Sequence, residues 1–116
     1  NYFNINLILS EKKAVTKLNK KYKNKFKDTD VLTFVSNITN KELGNIFYCD
    51  IFFSIDTIEN YINKNDVTIY NHFNHLLVHS LLHINEYDHK NTKQFNKMKI
   101  EEIKILDEAG IKNPYL

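Results

Sequence analysis

The chain has 116 residues, 42% of them apolar and 26% charged, with a net charge of +2, which suits one soluble domain with its own core. A single cysteine excludes an internal disulfide framework and fits a reducing, cytoplasmic setting, or an organellar one if a targeting segment has been removed. No apolar run approaches the roughly 20 residues a membrane helix needs, so a membrane partner is not expected.

The first element reads as a strand. Phe3, Ile5, Leu7 and Leu9 alternate with Asn4, Asn6 and Ile8, the period-two pattern of a half-buried strand. Ser10 then offers an N-cap with Glu11 in the first turn. Ala14, Val15, Leu18 and Tyr22 follow at helical spacing, predicting an amphipathic helix over 11–22. Val31 to Val35 and Ile46 to Phe53 are short apolar runs rich in β-branched and aromatic residues, as in buried strands, with a polar turn region over 36–44 between them. Cys49 falls inside the second run and reads as a buried, inert thiol.

Three helices complete the chain. Ser54 caps a short one over 54–63. Asp66 or Thr68 begins a central helix running to about Asn85, with Ile69, Phe73, Leu77, Leu81 and Ile84 toward the core. Thr92 caps the last, with Phe95, Met98, Ile103, Leu106 and Ala109 inward and Gly110 at the left-handed C-cap position. The order β-α-β-β-α-α-α, without repeat or linker, predicts a single-domain α+β fold with α/β-like layers: a small mixed sheet packed with helices.

The segment 79–89, HSLLHINEYDH, carries the chemistry. His79 and His83 lie four residues apart on the central helix, about 40° apart on one face and one turn above each other, so two imidazoles can share a metal ion. His89 follows a turn, in which Asn85 or Glu86 takes the positive-φ position, and returns to complete a three-nitrogen site. Three protein ligands with an open fourth position are the pattern of catalytic zinc, one ion per chain, although histidine nitrogens accept other divalent ions. His72 and His75 share the same helix face, but His89 can reach only the last turns. His75 is therefore expected to support the site from behind, His72 to lie on the solvated surface, and Asp88 to orient a ligand imidazole. A zinc protease would place a glutamate directly after the first histidine. Ser80 stands there, which argues against peptidase chemistry.

Charge adds a second signal. Lys12, Lys13, Lys17, Lys20, Lys21, Lys23, Lys25 and Lys27 fall within sixteen residues that contain no acid, while Glu101, Glu102, Asp107 and Glu108 gather near the other end. Such a face favours a polyanion. Every basic side chain other than histidine is lysine, so phosphate contacts come from lysine, histidine or backbone amides.

The histidine segment resembles the YbeY family of single-strand-specific endoribonucleases and rRNA maturation factors. Thr29-Asp30-Val31-Leu32-Thr33-Phe34 and Leu43-Gly44-Asn45-Ile46 are similar to two further blocks of that family, in the same order and spacing. Ser80 and Glu86 stand where the family has glycines, and Val35 where it has proline. Lys23, after Tyr22, replaces an arginine important for activity there. Lysine keeps the charge but not the planar fork that grips a phosphate with two bonds.

The resemblance implies a zinc-dependent endoribonuclease acting on single-stranded RNA in maturation of the 16S-type rRNA 3′ end. Lys23 would hold the scissile phosphate; Lys20, Lys21, Lys25 and Lys27 would contact RNA; and a small-subunit ribosomal protein is a candidate partner. The alternative is a zinc-binding ribosome-assembly factor that binds RNA or a ribosomal protein without cutting.

Overall fold

The computed structural model describes residues 2–23, 30–84 and 92–115, with the side chains of Tyr22, Lys23, Thr92 and Phe95 outside the description. Its elements are β1 (Tyr2–Ser10), α1 (Lys12–Lys23), β2 (Val31–Asn40), β3 (Gly44–Ser54), α2 (Ile55–Asn65), α3 (Ile69–Ile84) and α4 (Thr92–Glu108). This is the predicted order, and it is an α+β architecture. Two compact units divide it, Asn1–Tyr61 and Ile62–Leu116.

The first unit is built on a mixed three-stranded sheet in the order β1-β3-β2. The central strand β3 runs parallel to β1, with Ile5 beside Cys49, and antiparallel to β2, with Val35 beside Cys49. Cys49, Ile51 and Phe53 alternate along β3 and are completely buried with Val15 of α1, while Leu32 and Ile58 join this core. Cys49 is a free thiol that burial, and then the charge of Asp50, hold above its usual pKa, so the expectation of an inert cysteine stands. Asp56 ties the start of α2 to that of α1, its Oδ2 accepting the Lys12 backbone N–H at 3.2 Å. Anionic capping from another helix is favourable at this dipole end.

Two expectations for this unit need correction. The apolar residues of β1 are not half-buried: Phe3, Ile5, Leu7 and Leu9 remain between 39% and 62% exposed. Alternation reports which residues share a face, not whether anything covers that face. The polar stretch 36–44 is mostly strand, because β2 continues to Asn40 and the turn contracts to Lys41-Glu42-Leu43. Asn40 Oδ1 closes it by accepting the N–H groups of Glu42 at 2.8 Å and Leu43 at 3.0 Å. Gly44, at φ +84°, supplies the left-handed residue with which the chain leaves the turn and enters β3.

In the second unit, α3 packs with α4. Thr68 rather than Asp66 caps α3: its Oγ1 accepts the Asn71 N–H at 3.1 Å and its carbonyl the His72 N–H at 3.0 Å. Asp66 instead takes a left-handed φ of 53° where the chain leaves α2. The buried line of α3 is His72, Leu76 and Ser80, joined by Leu82 and Ile84 near its end, whereas Ile69 is 62% exposed. His72, expected on the surface, is only 6% exposed. The helix is rotated about one position from the expected face, which the apolar periodicity could not resolve because Leu76, Leu77, Val78, Leu81 and Leu82 surround much of the wheel. Ser80 Oγ is buried without a hydrogen-bond partner among the described residues.

On α4, Met98, Glu102 and Leu106 form the buried stripe at four-residue spacing. The predicted cap is present at its end. Gly110, at φ +77°, donates to the Asp107 carbonyl at 3.0 Å, and Ile111 to that of Leu106 at 2.8 Å, the bond pair of a Schellman motif. Ile111 is buried, as the motif's hydrophobic contact favours. Beyond it Asn113 Oδ1 accepts the Tyr115 N–H at 2.9 Å, turning the chain around Pro114 and setting the Tyr115 ring. No described helix is long and apolar enough to cross a membrane.

Candidate metal centre

Helical geometry brings His79 and His83 together near the C-terminal end of α3. Their Nε2 atoms face each other at 3.1 Å, with the rings 4.7 Å apart and steeply inclined. Two nitrogens bound to one tetrahedral zinc lie about 3.3 Å apart, so this pair fits a shared ion with little adjustment. A cation there also faces the negative end of the helix dipole.

Glu102 stands behind the pair and was not expected at the site. Its Oε1 accepts a hydrogen bond from His79 Nδ1. Its Oε2 accepts another from the Tyr115 hydroxyl and lies 3.3 Å from His75 Nε2. His75 and the Tyr115 oxygen are themselves 3.4 Å apart. Lys99 Nζ lies 4.7 Å from the centre of the Tyr115 ring, a cation–π contact that also holds the phenol.

Protonation follows from these partners. Burial by itself would raise the Glu102 carboxyl, but hydrogen bonds from His75, His79 and Tyr115, with the charge of His79, bring it down to about 2. Burial and the neighbouring carboxylate hold the Tyr115 phenol well above its ordinary value, so it remains a donor. An ionised carboxylate only accepts, so His79 must carry a proton on Nδ1. With the proton on Nδ1, the His79 nitrogen that faces His83 is Nε2, the nitrogen left for a metal when Nδ1 donates to a carboxylate. A metal-bound histidine whose other ring nitrogen donates to a carboxylate is a recurrent arrangement of zinc sites.

The expected residues are placed as follows. His79 and His83 meet, and His75 Nε2 lies against Glu102 Oε2. His89 and Asp88 lie outside the described residues, as do Lys25 and Lys27. Among the described residues no group of three His, Cys, Asp or Glu side chains is arranged to hold a metal ion. Lys20 and Lys21 are exposed on α1 in the first unit. Lys23 ends that helix, with its side chain outside the description. The signal for Glu102 was present in the sequence as an acid at the centre of the Met98–Leu106 stripe, where the same helical spacing that buries its neighbours buries a carboxylate. A carboxylate rarely enters such a stripe unless it is paired.

The site thus presents two facing imidazoles on one helix, one of them hydrogen-bonded to a buried carboxylate. Comparison with known proteins names the family. The family model "Endoribonuclease YbeY" matches residues 1–110. A protein named endoribonuclease YbeY from Ehrlichia chaffeensis is 40% identical over 115 residues, covering 97% of this chain and 71% of that relative. One of the same name from Ehrlichia ruminantium is 42% identical over 115 residues, covering 97% and 69%. The solution structure of TM1509 from Thermotoga maritima superposes with a TM-score of 0.53 at 22% identity, covering 90% of this chain and 69% of that one, a likeness of fold. The chain belongs to the YbeY endoribonuclease family.

Proposed function

We propose that this protein is a zinc-dependent endoribonuclease that cuts single-stranded RNA during maturation of the 16S-type rRNA 3′ end, in the cytoplasm, with a small-subunit ribosomal protein as a candidate partner. Family membership supports the RNA class of substrate. The observation that carries the metal dependence is the pair of Nε2 atoms 3.1 Å apart with Glu102 behind one of them.

His79, His83 and His89 would hold one zinc ion per chain, with Asp88 orienting the third imidazole. Bound there, zinc supplies a Lewis acid for a phosphoryl oxygen and lowers the pKa of water. The chain supplies the rest. Lys23 places its positive charge at the scissile phosphate and offsets charge developing in the transition state. Lys20, Lys21, Lys25 and Lys27 hold the flanking phosphates.

The test compares wild type with His83→Ala, both shown to be folded, on a labelled single-stranded RNA carrying a small-subunit rRNA 3′ end. Wild type is expected to cut, to stop when treated with a chelator and to resume with added zinc, while His83→Ala stays inactive. Equal cleavage by both proteins would reveal a contaminating nuclease. RNA binding without cleavage by wild type would replace the enzyme reading with that of a zinc-binding assembly factor.

A further inference from the structure

Glu102 is completely buried, and its two oxygens are divided between different tasks. Oε1 is given to His79 Nδ1, and Oε2 to the Tyr115 hydroxyl and His75 Nε2. A carboxylate bonded at one oxygen only can rotate about its last side-chain torsion; bonded at both, it is held. Tyr115 is held in turn by the Asn113 turn at its backbone and by Lys99 at its ring face.

We propose that Glu102 is a positioning residue for His79, and that Tyr115, with His75, is the clamp that fixes Glu102. The proposal rests on the metal-site reading above and deepens it. By accepting the Nδ1 proton, Glu102 selects the tautomer of His79 whose Nε2 is an acceptor and aims it at His83 Nε2. Metal affinity then depends on the C-terminal segment 111–115, which delivers Tyr115 through the Gly110 cap although it contributes no expected ligand. A carboxylate meeting only His79 would be a simpler device. The added tyrosine makes ordering of the chain's last described residues a condition for the ligand geometry.

The experiment has two readouts on the whole metal-free chain. The first is zinc affinity by competition with a chromophoric chelator for wild type, Glu102→Gln, Tyr115→Phe and His83→Ala. The second is the protonated ring nitrogen of His79, read by imidazole nitrogen chemical shifts. We expect the Nδ1–H form in wild type, a mixture of tautomers in Glu102→Gln, and a zinc affinity about 10- to 100-fold weaker in that variant. Tyr115→Phe, which leaves the carboxylate in place, should weaken zinc several-fold with an unchanged far-UV spectrum, and it decides the matter should Glu102→Gln not fold. The proposal is overturned by His79 carrying its proton on Nε2 in wild type. It is equally overturned if the folded Glu102 and Tyr115 variants bind zinc as tightly as wild type while His83→Ala does not. Absence of zinc binding by wild type would instead overturn the metal reading, and the His79 tautomer in that same sample would still decide the role of Glu102.

Discussion

Tyr115 donates its hydroxyl proton to Glu102 from thirteen residues further along the chain, on the far side of the Gly110 helix cap. The bond joins the C-terminal segment to the middle of α4, and through the same carboxylate to His79 of α3. One buried carboxylate therefore links three separate parts of the second unit.

Removing the hydroxyl while keeping the ring should be felt as stability. Among the described residues, Tyr115→Phe leaves Glu102 Oε2 buried with the His75 contact at 3.3 Å alone, and an under-satisfied buried acceptor costs about 1–3 kcal/mol. Urea unfolding of the metal-free protein at pH 7 checks this; a loss well below 1 kcal/mol would mean that water replaces the phenol without penalty.

Acid should destabilise the protein through the same carboxylate. Glu102 has a folded-state pKa of about 2 against an ordinary value of 4.5, so the folded state binds fewer protons than the unfolded state between those values. The contribution is complete above pH 4.5 and is lost as pH falls toward 2. Glu102→Gln cannot titrate there. Its unfolding free energy, compared with that of wild type at pH 5 and pH 3, is expected to fall less.

Gly110→Ala isolates backbone strain from crowding. A Cβ there would meet nothing within 4 Å, but φ is +77°, where an L side chain costs roughly 1–2 kcal/mol. A lower melting temperature with unchanged helix content is the expected result. A variant as stable as wild type would show that the Schellman cap is not needed to seat Ile111.

If the lysine face of α1 holds RNA, Lys20→Ala and Lys21→Ala should weaken binding of single-stranded RNA by a similar factor whatever its sequence. For each phosphate contact removed, the slope of log affinity against log salt should become shallower by about 0.7. Binding titrations at several salt concentrations measure this, and an unchanged slope would exclude the two lysines from phosphate contact.

All seven elements were legible in the sequence in their correct order, because strand and helix periodicity are local properties that each segment carries by itself. Capping was also legible where the chemistry was particular: Thr68 as one of two candidates, and Gly110 at the end of α4. The facing of His79 and His83 followed from four-residue spacing on one helix, which needs no knowledge of the rest of the chain.

Tertiary structure decided what local pattern cannot encode. Apolar alternation in β1 did not reveal that Phe3, Ile5, Leu7 and Leu9 would remain exposed, since cover is a property of what lies over a face. Apolar residues around most of α3 left its rotation open, and packing turned His72 inward. Glu102 is the sharpest case. In sequence it is one acid among several, and its meaning comes from His79, His75 and Tyr115, which approach it from 23, 27 and 13 residues away. A buried carboxylate is stable only where donors converge on it, and that convergence exists only once the helices and the C-terminal turn have packed.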